Sequence, residues 1–291
     1  KYKWFHLYVP FRPVHLRYKF VNWGVLFFSK LLAKLYGFVF FSFFNKNYDR
    51  IIIESGYCLY LINRPIKNCK ITYRVSDSPK SLRLNEDLIN REARLLPFFD
   101  KVSVPSLSIY SYYDNLIASN NTTLKFEKHG IFKKDFDEKK ENPYIYELNA
   151  VFVGMRLLDI TVIEILSRRF DDVHFHIIGD FDNAYQRPNV HYYGVMDYKD
   201  TCQYIKFATV GLACFIKIKG IEDYSETNKI VQYSYCGLPI FMPCFIPSKR
   251  KNIFHYQYVE NSMVSSFKKA LVFENKNLYS DDLDWTELSN L

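Results

Sequence analysis

Acidic residues are missing from the first 48 positions of this 291-residue chain, which hold eight Lys or Arg and no Asp or Glu. Residues 49–291 hold 31 of each sign, so the net charge of +8 belongs to one segment. That distribution excludes a chain-wide nucleic-acid footprint and points to one surface that meets something acidic. Glycine is scarce, at 10 residues, and neither G-x-G-x-x-G nor G-x-x-x-x-G-K-[ST] occurs. Dinucleotide oxidoreductases and P-loop enzymes therefore fall away. The six cysteines (Cys58, Cys69, Cys202, Cys214, Cys236 and Cys244) form no C-x-x-C, and none pairs with His at zinc spacing. Reduced, buried thiols in a cytosolic compartment are the expectation, with no metal centre. The opening Lys1, with no secretory signal ahead of it, suggests a fragment or a processed form.

Aromatic residues are abundant, with 24 Tyr and 26 Phe, and 17 of the first 48 residues are aromatic. Val25–Phe44 (VLFFSKLLAKLYGFVFFSFF) has the length of a bilayer span. Lys30 and Lys34 near its middle would each cost roughly 2.5–3.5 kcal/mol there. Four apart, they share one helix face, while Trp23, Phe27, Phe28, Phe40 and Phe41 supply an apolar one. Residues 11–48 thus read as a peripheral helix region lying on an anionic membrane surface. The same pattern also reads as a core helix with its lysines turned outward.

From Tyr48 short apolar strands alternate with helices. Strands are expected at Asp49–Glu54, Lys70–Val75, Lys101–Val104 and Thr123–Lys128, with helices at Leu84–Phe99 and Ser106–Ile117. The charged stretch 131–147 reads as a linker. A second alternation follows, with strands at Ala150–Val153, Val173–Ile178, Asn189–Tyr193, Val210–Phe215 and Pro239–Pro243. Helices are expected at Thr161–Phe170, Tyr198–Phe207 and Asn261–Phe273, and Ile216–Tyr224 as a loop. The fold class is α/β, two Rossmann-like domains with parallel sheets facing a central cleft, at 1–140 and 141–291. Ligands of such sheets collect at the carboxyl ends of strands.

One stretch carries a chemical signal. In Ser225–Pro239 (SETNKIVQYSYCGLP) a helix starts near Thr227, a candidate N-cap, and stops at Cys236-Gly237. Asn228 and Lys229 then sit in the first turn, where unpaired N–H groups and the dipole favour an anion. A lysine there opposes the dipole, which makes sense if a diphosphate lies between them. The same residues also read as a surface lysine on an amphipathic helix. Asp135-Phe136-Asp137 and Asp180-Phe181-Asp182 have the D-x-D spacing of metal-dependent sugar transferases; both read as fortuitous, one in the linker and one in a loop. His174 and His176 alternate in a strand, one expected in the core and one exposed. Asp77 ends a strand, where it reads either as a helix-capping residue or as a general base.

In order along the chain, Asp49–Gly56 (DRIIIESG), Tyr73–Asp77 (YRVSD), His129-Gly130, Val153–Asp159 (VGMRLLD), Phe175–Gly179 (FHIIG), Tyr193–Met196 (YGVM) and Lys229–Pro239 (KIVQYSYCGLP) resemble one family. This is the GumK-type glucuronosyltransferases of xanthan assembly, glycosyltransferase family seventy. The resemblance implies a GT-B fold and an inverting, metal-independent transfer of glucuronate from UDP-glucuronate to a lipid-linked glycan. It places that work at the cytoplasmic face of the bacterial inner membrane, in exopolysaccharide synthesis, with no cofactor and no nucleic-acid partner. It also implies roles by position: Asp77 as catalytic base, Lys229 as the diphosphate-binding lysine and Gln232 as a donor-site glutamine. Thr227 and Asn228 precede that lysine, and Gly154, Met155, Arg156, Met196 and Phe215 fall where the second domain lines the nucleotide pocket. Val195 stands for an acidic residue of the family and Phe215 for a tyrosine, which bears on the donor sugar more than on the nucleotide. The family's first strand and helix have no counterpart at the N-terminus. Two other readings stay open: a retaining GT-B transferase using another nucleotide sugar, and a non-catalytic nucleotide-sugar or membrane-binding module. Retaining relatives carry two glutamates where this chain has Tyr224 and Gln232, which favours inversion.

Overall fold

The computed structural model describes residues 24, 27–28, 31–32, 34–39, 49–62, 69–76, 86–118, 121–181, 185–274 and 284. The chain divides into two compact units, 1–127 and 128–291. Asp77, Lys30, Asp182, Trp285 and the aromatic residues Trp23, Phe40 and Phe41 lie outside the described residues.

In the first unit four strands, β1 (Arg50–Glu54), β2 (Lys70–Arg74), β3 (Lys101–Val104) and β4 (Thr123–Phe126), form one sheet in the order β1-β2-β3-β4. Every pair is parallel. Their period-two alternation turns Ile53, Ile71, Tyr73, Val75, Val102 and Val104 into a core closed by Leu88 and Leu95 of helix α1 (Glu86–Leu95) and by Ile109, Tyr113 and Ile117 of helix α2 (Leu107–Ile117). Pro97, inside the 3-10 turn Leu96–Phe98, stops α1 short of the expected Phe99. Ser106 caps α2, its hydroxyl accepting from the Ile109 N–H at 3.3 Å. Glu92 of α1 is buried in this core, where the hydroxyls of Tyr73 and of Tyr113 (2.6 Å) donate to its carboxylate. Burial pushes its carboxyl above the usual range, and the two tyrosines oppose that shift.

The described positions between 24 and 39 are helical. Phe27, Phe28, Leu31, Leu35, Phe38 and Val39 are exposed, and Gly37 is buried. A Cβ on Gly37 would stand 2.1 Å from the Leu61 carbonyl oxygen, so this glycine is where the helix meets the body of its unit. No described helix is long and apolar enough to cross a membrane.

The second unit is a six-stranded sheet of β5 (Leu148–Val153), β6 (Val173–Ile178), β7 (Val190–Gly194), β8 (Val210–Leu212), β9 (Ile240–Pro243) and β10 (Ile253–Tyr256). Its order is β10-β9-β8-β5-β6-β7, parallel throughout. Strand β10 was not anticipated. Helices α4 (Ile160–Arg169) and α7 (Glu260–Leu271) supply Val162, Ile163, Leu166, Met263 and Phe267 to one core. Helices α5 (Tyr198–Lys206) and α6 (Asn228–Tyr235) supply Cys202, Ile205, Ile230 and Tyr233 to another. Helices on both faces are what a parallel sheet requires.

Three local expectations are corrected. The stretch 131–147 is not simply a linker: it holds the short helix α3 (Lys133–Asp137), with Phe136 buried among residues of the second unit. Tyr235 donates to Asp137 (2.8 Å) and Gln203 to the Asp135 carbonyl (3.3 Å). The loop Ile216–Tyr224 runs into a 3-10 helix, Ile221–Glu226. Of the cysteines, all free, only Cys202 and Cys214 are fully buried, and Cys244 is exposed. His176 is the core histidine, bonded to Tyr193 (2.8 Å) and Asn149 (2.9 Å), while His174 is half-buried against His191 (2.9 Å).

Candidate functional site

From β5 the chain winds to β6 and β7 on one side, then returns to lay β8 on the other. The order reverses between β5 and β8, and the crevice beyond the carboxyl ends of two such strands is the natural ligand position of an open α/β sheet. Gly154 follows β5, the segment Ala213-Cys214-Phe215 follows β8, and α6 begins nearby.

The helix is fixed there by one side chain. β5 and β8 pair only at Ala150–Val210 and Val151–Gly211. Beyond that point the Tyr233 hydroxyl fills the split, donating to the Val151 carbonyl (3.1 Å) and accepting from the Val153 N–H (3.1 Å). Gly211 makes this possible, since a Cβ there would meet the Tyr233 ring at 2.4 Å. The other end of α6 closes in a Schellman motif: Gly237 has φ 71°, its N–H bonds Ser234 O (3.0 Å), and the Leu238 N–H bonds Tyr233 O (2.9 Å). Lys229 lies one turn before Tyr233 on the same face.

The Lys229 ammonium sits 3.7 Å from the centre of the Phe152 ring and 4.7 Å from that of Phe215. A Cβ on Gly154 would stand 2.9 Å from its Nζ. Among the described residues no carboxylate forms an ion pair with it. Lys229 is half-buried, and desolvation by its neighbours pushes its pKa down to about 7, weakly opposed by Cys214. Two cation–π contacts, together about 1–4 kcal/mol, offset part of that cost. The N–H groups of Asn228, Lys229 and Ile230 precede the first helical hydrogen bond, Val231 N to Thr227 O at 3.1 Å, so they are available to an anion.

Thr227 does not cap the helix as expected. It holds the N-cap position with φ −65° and ψ 160°, its side chain makes no capping bond, and its Oγ1 is buried without a partner. Asn228 is exposed, and Gln232 is half-buried near the Tyr198 hydroxyl. Phe215 is buried under the lysine, Met196 is half-buried, and Met155 and Arg156 are exposed in the loop after Gly154.

Glycines line the strand ends. Gly179 after β6 has φ 143°, and a Cβ on it would lie 1.8 Å from the Gly154 carbonyl oxygen. Gly154 N–H bonds Ile178 O (3.0 Å), and Gly179 N–H bonds Gly194 O (2.8 Å). The loop after Gly154 is stitched to the end of β8: Asp159 N–H bonds Cys214 O (2.9 Å), and Ile216 N–H bonds Leu157 O (3.0 Å). Leu157 adopts φ 66°, the one described non-glycine residue with positive φ. Asp159 caps α4 by accepting from Thr161 N–H (3.1 Å), and the Tyr258 hydroxyl lies 2.8 Å from its carboxylate and 2.9 Å from Phe215 O. Glu226, just before the helix start, is held by Arg250 through Nε (3.1 Å to each carboxylate oxygen) and Nη2 (2.7 Å). The sequence reading missed Tyr233, Gly211, Arg250 and Tyr258. The one local hint was a tyrosine four residues after a lysine on a buried face.

No protein-family model matches the chain. It is 25% identical over 249 residues to the UDP-glucuronate:glycolipid 2-beta-glucuronosyltransferase of Xanthomonas campestris pv. campestris. The match takes in 83% of this chain, which spans 61% of that relative's length. Among solved structures it is similar to Anabaena Alr3699/HepE in complex with UDP and glucose (TM-score 0.62, 12% identity, 84% of this chain and 78% of that one). It is similar also to the sucrose-phosphate synthase of Thermosynechococcus elongatus (TM-score 0.61, 13%, 90% and 76%) and to WaaG, a glycosyltransferase involved in lipopolysaccharide biosynthesis (TM-score 0.53, 11%, 90% and 76%). The two parallel sheets are those of the GT-B glycosyltransferase class.

Proposed function

We propose that the chain is a glycosyltransferase that binds a UDP-sugar at the carboxyl ends of β5 and β8 and passes the sugar, glucuronate, with inversion to a lipid-linked glycan acceptor. The observation that carries this reading is the Lys229 ammonium: set against the Phe152 and Phe215 rings at the switch point, beside a helix start, with no acid paired to it among the described residues. A diphosphate is the ligand that matches one such cation and a row of free N–H groups. The activity of the Xanthomonas relative, a UDP-glucuronate:glycolipid 2-beta-glucuronosyltransferase, supports the donor and the acceptor class.

In this reading Asp77 takes the proton of the acceptor hydroxyl as its oxygen attacks the anomeric carbon. The bond from that carbon to the diphosphate breaks, and the leaving charge falls to Lys229 and the start of α6. Thr227, Asn228 and Gln232 complete the donor side, with Gly154, Met155, Arg156, Met196 and Phe215 around the nucleotide. The reaction needs no metal in this scheme. Residues 11–48, basic and aromatic, hold the protein peripherally on an anionic membrane surface, at the cytoplasmic face of a bacterial inner membrane.

Calorimetric titration with UDP tests the site. Lys229→Ala is expected to weaken binding at least a hundredfold, and Asp77→Asn to leave binding intact while abolishing transfer from UDP-glucuronate. Unchanged UDP affinity in Lys229→Ala would refute the donor site; full turnover in Asp77→Asn would refute the base.

A further inference from the structure

We propose that β1 is a self-association edge: two copies of this chain join their first sheets by pairing β1 with β1, antiparallel, about a two-fold axis at Ile52. Among the described residues the first sheet ends at β1, with no strand beyond it. The Lys70 N–H bonds Asp49 O and the Ser55 N–H bonds Arg74 O, so the odd-numbered residues of β1 turn their backbone groups toward β2. Arg50, Ile52 and Glu54 therefore turn theirs outward. The usual devices that blunt an edge are missing: β1 (RIIIE) holds no proline and no lysine, and its register against β2 runs without a bulge. Three isoleucines in a row read as a strand covered on both faces, yet Ile52 is 44% exposed.

The stretch Arg50–Glu54 is complementary to itself read backwards. An antiparallel pair centred on Ile52 sets Arg50 opposite Glu54 of the second copy, Ile51 opposite Ile53, and Ile52 opposite its own copy. Opposite residues share a face, so an Arg–Glu pair stands on each side of the paired isoleucines. Arg50 and Glu54 are both exposed. The three residues with outward backbone groups all fall at hydrogen-bonded positions of that ladder, two bonds to each pair. Glu54 also has Arg74 as its register neighbour on β2, and in the joined sheet it stands between two arginines. A slip by two residues loses both Arg–Glu pairs, and parallel pairing in register sets like charges opposite each other, so the charges select one arrangement. The contact is the same patch on both copies and closes at two. A strand of five residues is a small interface, so association depends on concentration.

Sedimentation equilibrium of the full chain is the test. The mass is expected to climb from that of one 34.7 kDa chain toward twice that value as concentration rises. Arg50→Glu and Glu54→Arg are each expected to stay monomeric, because each sets like charges opposite each other. Mixed in equal amounts, the two variants are expected to associate, since every charged pair is then of opposite sign. The double variant Arg50→Glu with Glu54→Arg is expected to recover self-association. Ile52→Lys, a charge at an exposed edge position, is expected to lose it. Ile52→Cys is expected to give a covalent dimer on oxidation, because the two Cα atoms of such a pair stand about 5.5 Å apart, within disulfide reach. A parent that stays monomeric throughout the concentration range overturns the proposal. So do single charge variants that associate as the parent does, or a mixture of them that stays monomeric.

Discussion

One tyrosine hydroxyl and one carboxylate illustrate what single side chains do in this protein. The Tyr233 hydroxyl satisfies a carbonyl and an N–H that the strands leave open where β5 and β8 diverge. Tyr233→Phe strands both groups in the interior, at an expected cost of about 1–3 kcal/mol. Denaturant melts should record that loss, and calorimetry should record weaker UDP binding, because the helix carrying Lys229 loses its anchor. Glu92 ties stability to pH. Its folded pKa is raised by burial, so the native state holds the proton more tightly than the unfolded chain does. Its favourable contribution is full below the unfolded value of about 4.3 and is lost as pH rises through the folded value. Glu92→Gln keeps the shape without the charge. The stability of this variant relative to the parent should therefore improve as pH rises above about 4.3 and level off once Glu92 has ionised in the folded protein, as paired urea melts would record. A flat difference would mean that Glu92 titrates normally. Neither role was legible in the sequence. Tyr233 reads as one more core aromatic, and the use of its hydroxyl depends on where two distant strands separate. Thr227 shows the reverse failure: a good capping residue by type, its hydroxyl lies buried without a partner, and nothing in its neighbours announces that.

At the scale of elements, the strongly patterned segments were legible. The apolar strands VHFHII and KVSV and the glycine stop of α6 appear where period and turn chemistry put them. The misses share a cause. Strand β10 is four residues long with a half-exposed pattern, the 3-10 helix Ile221–Glu226 is acidic, and α3 is charged except for Phe136. Each is held by tertiary contacts rather than by its own period. The junction ahead of α6 depends on such a contact, the Glu226–Arg250 pair, with side chains 13% and 3% exposed. Arg250→Ala leaves a largely buried carboxylate unpaired, and a loss of about 3–5 kcal/mol is expected in thermal or chemical unfolding. Arg250→Ala combined with Glu226→Gln should recover much of it. If the double variant is as unstable as the single, the arginine acts through packing instead.

For the whole molecule, two parallel α/β sheets were legible in the sequence, and the comparisons give them the GT-B fold. The basic, aromatic beginning of the chain sets a further expectation. Phe27, Phe28, Leu35 and Phe38 are each more than half exposed. Vesicles containing anionic lipid should therefore retain the protein in co-sedimentation, and vesicles of zwitterionic lipid should not. Raising the salt should release it, since the attraction between charges is screened. Serine at those four positions should abolish retention by the anionic vesicles. Equal retention by neutral lipid would point to insertion driven by apolar surface alone.

The left-handed turn at Leu157 has a dynamic corollary. A leucine there is strained by about 1–3 kcal/mol and keeps that shape only because its surroundings impose it. Relaxing it to an ordinary conformation would break both links from its loop to the end of β8 at once, so halfway states are disfavoured. The amide protons of Asp159 and Ile216 should accordingly exchange with deuterated solvent in a single concerted opening rather than one by one. Glycine at position 157, which removes the strain, should slow both exchange rates together.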